Sequence, residues 1–231
     1  MAGIVTALLT ALVGYLLGSI SSSIIITKLF IKKDIRSFGS GNAGATNVLR
    51  AVGKTAAALT FVFDFLKCVA AVMAGRLIYA AAASMGYTGL FAEYGVYFAG
   101  VCCFIGHIYP LYFHFRGGKG VVTAAAMIAL TDWRVFLLLV LVFFGTFFIW
   151  RYVSLSSVLA AFSYPVGTFA VTYLVDYTGG PLQGDKPLDF VLVATMVALL
   201  MGGIVVWKHR ENIKRLREGK EKKIYFSQTK R

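Results

Sequence analysis

The sequence predicts an all-α, polytopic integral membrane protein with seven transmembrane helices, its N-terminus outside and its C-terminus in the cytoplasm. Three observations support this class. The 231 residues are 58% hydrophobic and 14% charged, whereas soluble domains are about 25% charged. The apolar residues fall in stretches long enough for about 20 helical residues each. The basic residues cluster between alternate stretches, as expected for cytoplasmic loops.

Six apolar stretches have roughly the length of a membrane span. They run near Ile4–Thr27, Thr55–Met85, Leu90–Phe113, Val135–Trp150, Val153–Val175 and Leu188–Trp207. A seventh, Val121–Leu130, is too short for an ordinary span. Gly120–Thr131 is therefore predicted to be a short or tilted helix that crosses with the support of its neighbours. Residues 1–231 are interpreted as a single transmembrane domain, with residues 208–231 as a basic cytoplasmic end and tail.

The first stretch is predicted to be a retained span rather than a signal peptide, because its positive charges follow it, beginning at Lys28. Seven crossings with the N-terminus outside place 19 of the 23 lysines and arginines in the cytoplasm. They lie in Lys28–Lys54, Arg116–Lys119, Arg151 and Lys208–Arg231. An even number of crossings would scatter them. The net charge of +13 thus indicates anionic membrane lipids as partners, and no nucleic acid is expected.

The first polar cluster is Gly39–Asn47, with the sequence GSGNAGATN. The exposed amides of such a segment can curl into a nest around an anion. A short amphipathic stretch follows, so Thr46 or Asn47 is expected to cap a helix N-terminus, and Arg50 would add a bidentate phosphate contact. The alternative is an ordinary flexible connector, which has no need of Asn and Thr spaced around three glycines at a membrane face.

The second cluster, RGGKG at Arg116–Gly120, directly precedes the predicted short helix. It shares the logic of a phosphate loop but not the Walker pattern, because Gly120 rather than Ser or Thr follows Lys119. Lys119 is therefore predicted to act as a point charge over phosphate, with no magnesium-binding hydroxyl beside it. The alternative is a plain positive-inside anchor, a role that does not need flanking glycines.

The third cluster, His209–Leu216, stands where the last predicted span ends. His209 and Asn212 share one helical face by their spacing, so a histidine and an amide are presented at the membrane surface. His209 is predicted to be a site residue. Glu211 lies off this face, and two interpretations stay open for it: a surface ion pair with Arg215 four residues on, or a role in the site.

Within the spans, Asp64 lies roughly 15 Å deep by helical rise, and an intramembrane carboxylate is by default functional or paired. Lys67, one turn on, is the expected partner in a structural pair. Close helix packing or the wall of a site is predicted by the small residues Gly18, Ser19, Ser21, Ser22 and Ser23. Ser154 carries the same two interpretations. His107 is predicted to be a satisfied interior or interfacial histidine.

The cytoplasmic acids bear on the chemistry because magnesium sites need clustered carboxylates. In this topology they are only Asp34, Glu211, Glu218 and Glu221, so a site without metal or cofactor is expected. No Ser, His and acid triad is visible, which disfavours a covalent acyl-enzyme. Two glycine-rich clusters with cations on one membrane face instead predict chemistry between two phosphorylated molecules.

Four separated motifs resemble the bacterial acyl-phosphate:glycerol-3-phosphate acyltransferases, the PlsY family. They are GSGNAGATNVLRAVGK, HIYPLYFHFRGGKGVVTA, RYVSLSS and KHRENIKRL, and the resemblance covers essentially the whole chain. It implies transfer of a fatty acyl group from acyl phosphate to glycerol 3-phosphate at the bacterial cytoplasmic membrane, giving lysophosphatidic acid and phosphate. In one departure, GSIS stands at Gly18–Ser21 where many members have GSIP, which puts the local helix kink in doubt.

The resemblance also implies a set of site residues. The expected catalytic residues are Lys119, Arg50, His209 and Asn212. The expected substrate-binding residues are Ser40, Gly41, Asn42, Thr46, Asn47, Gly117, Gly118, Gly120, Ser154 and Glu211. The resemblance implies one pocket formed by these residues.

Two rival functions are weighed. A transporter of organic phosphate or another anion usually has its site near the midplane between repeats, whereas this chain has no matched repeats and its clusters share one face. A non-catalytic scaffold would not need two anion cradles. Within the enzyme class, the sequence leaves acyl-CoA open as the donor, together with the acyl-chain preference and the oligomeric state.

Overall fold

A computed structural model describes residues 2–87, 92–179 and 186–224. The described residues are helical with short connections. The α-helices are α1 (Ala2–Gly18), α2 (Ser22–Ile31), α3 (Ala45–Ala51), α4 (Lys54–Ser84), α5 (Ala92–Ile108), α6 (Val121–Thr131), α7 (Trp133–Trp150), α8 (Val153–Val171), α9 (Leu188–Lys208) and α10 (Arg210–Arg217). Short 3₁₀ turns occupy Ile35–Ser37 and Leu111–Phe113, and a π-helical segment, Thr172–Tyr177, continues α8.

Six helical segments among the described residues are long and apolar enough to cross a membrane, so the chain is a multi-pass membrane protein. They are Gly3–Ile31, Lys54–Ser84, Tyr94–Phe113, Trp133–Trp150, Val153–Tyr177 and Leu188–Lys208, which match the six predicted stretches. The predicted seventh element is a helix of 11 residues, α6. Its crossing, and with it the count of seven and the direction of the termini, stays a prediction.

The outward surfaces of these helices are apolar. Leu77, Leu141 and Val166 expose 66%, 73% and 70% of their surface. Such exposure costs little where the solvent is lipid rather than water, since hydrocarbon chains are as apolar as leucine. The chain forms two compact units, residues 1–131 and 132–231, each with its own packing; the interpretation as a single domain stays a prediction.

In the first unit, α1 packs against α5 and α4, and α4 also packs against α6 and the short α3. Small residues let the backbones approach closely. A methyl group on Gly18 would overlap the carbonyl oxygen of Cys103, and one on Gly106 would overlap that of Tyr15. The prediction of close packing at the end of α1 is thus confirmed.

The first span is broken at Ser19–Ser21, between α1 and α2, although this segment contains no proline. Polar side chains form hydrogen bonds with backbone carbonyl and amide groups around this break. The Ser19 hydroxyl donates to the carbonyl of Tyr15 at 2.8 Å and accepts from the amide of Leu111 at 3.2 Å. The Lys67 ammonium donates to the carbonyl of Ile20 at 2.7 Å. Serines and a buried lysine therefore sustain a break that does not depend on proline.

In the second unit, α8 packs between α7 and α9. Asp132 caps α7 by accepting hydrogen bonds from the amides of Arg134 and Val135. The Arg134 guanidinium also joins two carboxylates, at 2.9 Å from Asp132 and 2.7 Å from Asp176. This ion-pair cluster ties the start of α7 to the π-helical segment. Asp132 and Asp176 therefore have a structural role here.

Candidate active site

The segment Gly39–Asn47 folds around the side chain of Asn47, which is 3% exposed. The Asn47 Nδ2 donates to the carbonyls of Ile35, Phe38 and Asn42 at 3.2, 2.9 and 3.1 Å. Its Oδ1 accepts from the amide of Ser40 at 3.3 Å. The Asn47 side chain thus stabilises the fold of the loop. This role differs from the direct substrate contact that the sequence predicted for Asn47.

The same loop uses several of its amides for its own folding. The amide of Gly41 donates to the carbonyl of Phe38 at 2.9 Å, and that of Gly44 donates to Asn42 at 3.1 Å. With the Ser40 amide held by Asn47, the predicted anion nest is wrong at these three positions. The positive φ of 68° at Gly41 serves a tight internal turn. Ser40, with its hydroxyl, is exposed on this turn.

The predicted helix after the loop is confirmed as α3, but the predicted cap is wrong. Gly44 is the N-cap and no side chain caps the helix, because the Asn47 side chain is engaged in the loop. Thr46 and Arg50 are four residues apart on α3 and share one face. Thr46 is partly buried and Arg50 is exposed in the last turn, where its guanidinium can offer a fork to a phosphate in the geometry of a surface contact.

The loop Arg116–Gly120 is hydrogen-bonded to the C-terminal end of α5. The amides of Gly117 and Gly118 donate to the carbonyls of Ile108 and His107 at 3.2 and 3.1 Å. The last carbonyls of a helix lack intrahelical donors, and these amides satisfy two of them. Both amides are therefore engaged with α5, and the two glycines allow the loop to pack closely on this helix; the role of Gly117 and Gly118 in substrate binding stays a prediction.

Arg36 also binds the backbone that leads into the loop Arg116–Gly120. Its Nη1 donates to the carbonyl of Phe113 at 2.8 Å and to that of Arg116 at 3.2 Å, while Asp34 pairs with its Nη2 at 2.8 Å. Burial raises the pKa of Asp34, but hydrogen bonds from Arg36 and its positive charge outweigh this and hold the pKa below its usual value. The sequence analysis assigned no role to Arg36.

The first two clusters meet in the first unit. A methyl group on Gly118 would overlap Nε2 of His107 and lie 2.6 Å from the carbonyl oxygen of Ala43. The two loops therefore touch at Gly118, next to the partly buried Lys119. Gly120 begins α6 with a φ of 82° over the ring of Phe104, a conformation that favours glycine. Sequence spacing alone did not establish this contact.

In the second unit, His209 lies between α9 and α10 and is 3% exposed. Its Nδ1 is 2.8 Å from the carbonyl oxygen of Val205. Because a carbonyl can only accept, the proton lies on Nδ1, and Nε2 is the acceptor nitrogen of the neutral ring. The hydrogen bond fixes both the orientation and the tautomer of His209.

Asn212 and Ser154 are brought together by Glu221, to which the sequence analysis assigned no role. Its Oε1 accepts from Nδ2 of Asn212 at 2.8 Å and from the Ser154 hydroxyl at 3.0 Å. Its Oε2 pairs with Nε of Arg215 at 2.7 Å. After α10 the chain turns at Gly219, with a φ of 66°, and this reversal returns Glu221 to the helix. In the sequence, this turn is indicated by the glycine that follows the basic C-terminal end of the helix.

Glu211 has a different environment from the rest of the predicted set. Its side chain is 69% exposed, and its Oε1 lies 3.9 Å from Nε of Arg210. The expected pair with Arg215 is wrong, since Glu221 binds Arg215 at 2.7 Å. An exposed pair at this distance contributes little to stability. The surface-ion-pair interpretation therefore describes Glu211 better than a role in the site, with a different partner.

Glu221 is expected to make the stability of the protein sensitive to acid. Burial raises its pKa, but hydrogen bonds from Arg215, Asn212 and Ser154 outweigh this and lower it. A lowered pKa stabilises the fold above the usual carboxyl value, and this stabilisation is lost as the pH falls through the lowered pKa. Thermal unfolding between pH 7 and pH 3 should show a smaller loss in Glu221→Gln than in the wild type.

The matched control for this prediction is Glu218→Gln, which removes an exposed carboxylate three residues earlier whose partner is Lys220 at 3.1 Å. This variant should keep the pH dependence of the wild type. Equal profiles for Glu221→Gln and the wild type would show that the buried hydrogen bonds of Glu221 do not couple folding to protonation.

A metal-free reaction stays a prediction. Within residues 2–87, 92–179 and 186–224, no three His, Cys, Asp or Glu side chains are grouped so that they could hold a metal ion. The candidate groups described above are instead cations, hydroxyls, amides and one histidine. Such groups bind and orient phosphorylated molecules by charge and hydrogen bonds.

A family model described as glycerol-3-phosphate acyltransferase matches residues 8–219. The chain belongs to this family. Its relatives within the family include the glycerol-3-phosphate acyltransferases of Macrococcus caseolyticus and Photobacterium profundum. The first is 37% identical over 94% of this chain and 97% of the relative. The second is 38% identical over 94% and 93%.

The fold matches that of a family member of known structure. The crystal structure of PlsY (YgiH), an integral membrane glycerol 3-phosphate acyltransferase, in its glycerol 3-phosphate form has a TM-score of 0.72 and 35% identity, covering 95% of this chain and 96% of that chain. Its lysophosphatidic acid form has a TM-score of 0.70 at the same identity and covers 95% of each chain. The family resemblance of the four sequence motifs is confirmed.

Proposed function

We propose that this chain transfers a fatty acyl group from acyl phosphate to glycerol 3-phosphate, giving 1-acyl-glycerol 3-phosphate and inorganic phosphate. This is the entry step of phospholipid synthesis, placed at the cytoplasmic face of the bacterial inner membrane. The observation that carries the proposal is the meeting of the Ala43 and Gly118 backbones beside Lys119, on a chain that matches the family over residues 8–219. Two glycine-rich loops thereby converge at one place.

Side chains rather than loop amides bind the phosphates in this proposal. The amides of Gly41, Gly117 and Gly118 are engaged inside the protein, so the proposal assigns the positive charge to Lys119 and Arg50. Lys119 attracts the phosphate of the acyl donor as a compact charge, and Arg50 offers a fork to glycerol 3-phosphate. The exposed Ser40 and Gly41, with Asn42 beside them, add polar contacts at the loop surface.

The second unit has oriented hydrogen-bonding groups of its own. The carbonyl of Val205 holds Nδ1 of His209 and so fixes the ring. Glu221 fixes the amide of Asn212 and the hydroxyl of Ser154, so both groups are oriented in advance. Orientation of this kind reduces the entropy that the transition state must lose.

The reaction balances without a covalent enzyme intermediate. The primary hydroxyl oxygen of glycerol 3-phosphate attacks the acyl carbonyl carbon, and the bond between that carbon and the phosphate oxygen breaks. Acyl phosphate is an activated mixed anhydride, so no cofactor is needed. The hydroxyl proton passes to the departing phosphate, whose proton affinity rises as the bond breaks. The enzyme supplies position and charge.

The donor is tested with purified protein offered acyl phosphate, acyl-CoA and acyl carrier protein in parallel, each with glycerol 3-phosphate. Lysophosphatidate should form from acyl phosphate. Product formation only from acyl-CoA or acyl carrier protein would assign a different donor within the same family. Absence of product with all three, from a folded protein, would overturn the proposed function.

The cytoplasmic orientation gives a labelling prediction. The loop Arg116–Gly120, the segment Gly39–Asn47 and the basic C-terminal region should all face the cytoplasm, because they carry most of the lysines and arginines. A cysteine placed at Lys119 should therefore resist an impermeant maleimide in intact cells and react after permeabilisation. Labelling from outside before permeabilisation would contradict the seven-span arrangement with its N-terminus outside.

The role of His209 gives a second prediction. If the donor phosphate takes the proton and His209 only orients the acceptor, His209→Gln should retain clearly more activity than His209→Ala. Glutamine keeps a hydrogen-bonding group but cannot act as a base near neutral pH. The measurement is kcat and KM for both variants across pH. Equal and near-complete loss in both, with a wild-type rate limb near neutral pH, would assign the base to His209.

A further inference from the structure

Three ionisable side chains lie buried together in the first unit, away from the exposed loop surface. Asp64, Lys67 and His107 are 2%, 8% and 6% exposed. The Lys67 Nζ lies 2.9 Å from Oδ1 of Asp64 and 2.9 Å from Nδ1 of His107, and Nδ1 of His107 lies 3.5 Å from the same carboxylate oxygen. The predicted pair of Asp64 and Lys67 is thus confirmed, and His107 completes it.

Such a cluster is costly inside a membrane protein. Burying charged groups away from water carries a large desolvation penalty that pairing has to offset, and ionisable groups within spans are typically functional. An apolar contact between α4 and α5 would hold these helices together without this cost. The position of the cluster therefore needs a reason beyond packing.

One end of the cluster supports the break in the first span. The Lys67 ammonium donates to the carbonyl oxygen of Ile20 at 2.7 Å, at the point where α1 ends and α2 has not begun. From this break the Ser19 hydroxyl accepts from the amide of Leu111 at 3.2 Å, on the chain that leads to Arg116–Gly120. The ammonium thus stabilises a backbone turn on which that chain rests.

The other end of the cluster reaches the loop itself. Nδ1 of the His107 ring lies 2.9 Å from the Lys67 ammonium. Nε2 is the nitrogen that faces Gly118, as the overlap of an added methyl group there shows. The carbonyl of the same histidine accepts from the amide of Gly118 at 3.1 Å. Both the ring and the backbone of His107 therefore set the position of Gly118, the neighbour of Lys119.

We propose that Asp64, Lys67 and His107 form a buried positioning network that holds the Lys119 loop in its phosphate-binding arrangement, without contacting substrate. Asp64 orients Lys67, Lys67 fixes His107 and the turn at Ile20, and His107 fixes Gly118. This inference rests on the proposed role of Lys119 in phosphate binding. A displacement of Lys119 by about 1 Å is enough to reduce the rate as much as 100-fold.

The test uses the full-length protein and the double variant Asp64→Asn/Lys67→Met, which removes both buried charges and leaves none unpaired. It should fold, judged by a thermal unfolding temperature near that of the wild type. It should also alter the kinetic parameter that Lys119→Ala alters, kcat or the KM for acyl phosphate, by about 10-fold or more. Lys67→Arg, which keeps the charge, should recover part of the loss.

The matched control is Lys54→Met, which makes the same substitution at an exposed position on the same helix and should leave activity unchanged. A second readout does not depend on turnover. Lys119→Cys should react with a hydrophilic maleimide at a different rate when the double substitution is added. This separates the two proposals, since a wild type without activity would overturn the function while labelling still tests the network.

Wild-type kinetics and an unchanged labelling rate in a folded double variant would overturn the network and leave the cluster as packing alone. If the double variant does not fold, His107→Gln decides, because it keeps the pair of Asp64 and Lys67 at 2.9 Å and removes the ring beside Gly118. Altered labelling at position 119 in folded His107→Gln supports the network. Wild-type labelling and kinetics overturn it.

Discussion

Replacement of Lys119 by alanine is expected to reduce kcat/KM by at least about 100-fold, the size of effect seen when one charge-stabilising group is removed from an active site. The reason is the internal use of the glycine amides. Since Gly117 and Gly118 donate to α5, their amides cannot replace a lost cation. The ammonium of Lys119 is thus the charge to which the proposed function assigns phosphate binding in this loop.

The measurement is steady-state kinetics with acyl phosphate and glycerol 3-phosphate on purified, folded protein. Lys119→Arg should recover only part of the loss, because a planar fork does not reproduce a compact ammonium. Lys54→Ala, at the exposed first residue of α4, removes an equal charge and should be nearly silent. Wild-type turnover in Lys119→Ala would return the loop to the role of a positive-inside anchor.

Replacement of Gly117 by alanine should have a comparably large effect through the backbone. The added methyl group would overlap the carbonyl oxygen of His107 and lie 2.6 Å from Cδ of Pro110 and 2.9 Å from the carbonyl oxygen of Ile108. Two of these neighbours are backbone atoms at a helix end and cannot rotate away. The loop must shift, and we expect a loss of activity of about 100-fold with destabilisation of about 1–3 kcal/mol.

Gly145→Ala is the matched control, because a methyl group at Gly145, within α7, meets nothing within 4 Å. Alanine is the better helix former, so stability should be unchanged or raised by about 0.5–1 kcal/mol, with full activity. Thermal unfolding and kinetics of the two variants check both parts. Full activity in Gly117→Ala would mean that the loop tolerates displacement, and it would also weaken the proposed network behind it.

The sequence was most informative where one physical rule dominates. Hydrocarbon thickness fixes the length of an apolar span, so all six long stretches were predicted. A buried carboxylate needs a partner, and the spacing of Asp64 and Lys67 placed that partner one turn away. Glycine next to cations indicated phosphate chemistry, and the family match over residues 8–219 agrees.

The predictions failed where several partners compete for the same group. A glycine amide can donate to an anion or to a nearby carbonyl, and the sequence does not say which is closer. At the end of α5 the carbonyls of His107 and Ile108 have no donor within the helix. They accept hydrogen bonds from the amides of Gly118 and Gly117. In the same way Glu221, not Glu211, binds Arg215, because the turn at Gly219 brings it back.

What the sequence determined by itself is therefore the membrane class and the six long apolar spans, because hydropathy and charge act locally along the chain. Tertiary structure alone decided that Asn47 lies inside its loop and that Gly118 contacts both Ala43 and His107. These relations join positions far apart in the chain. They depend on where helices end and how closely glycines let them approach, which no local pattern specifies.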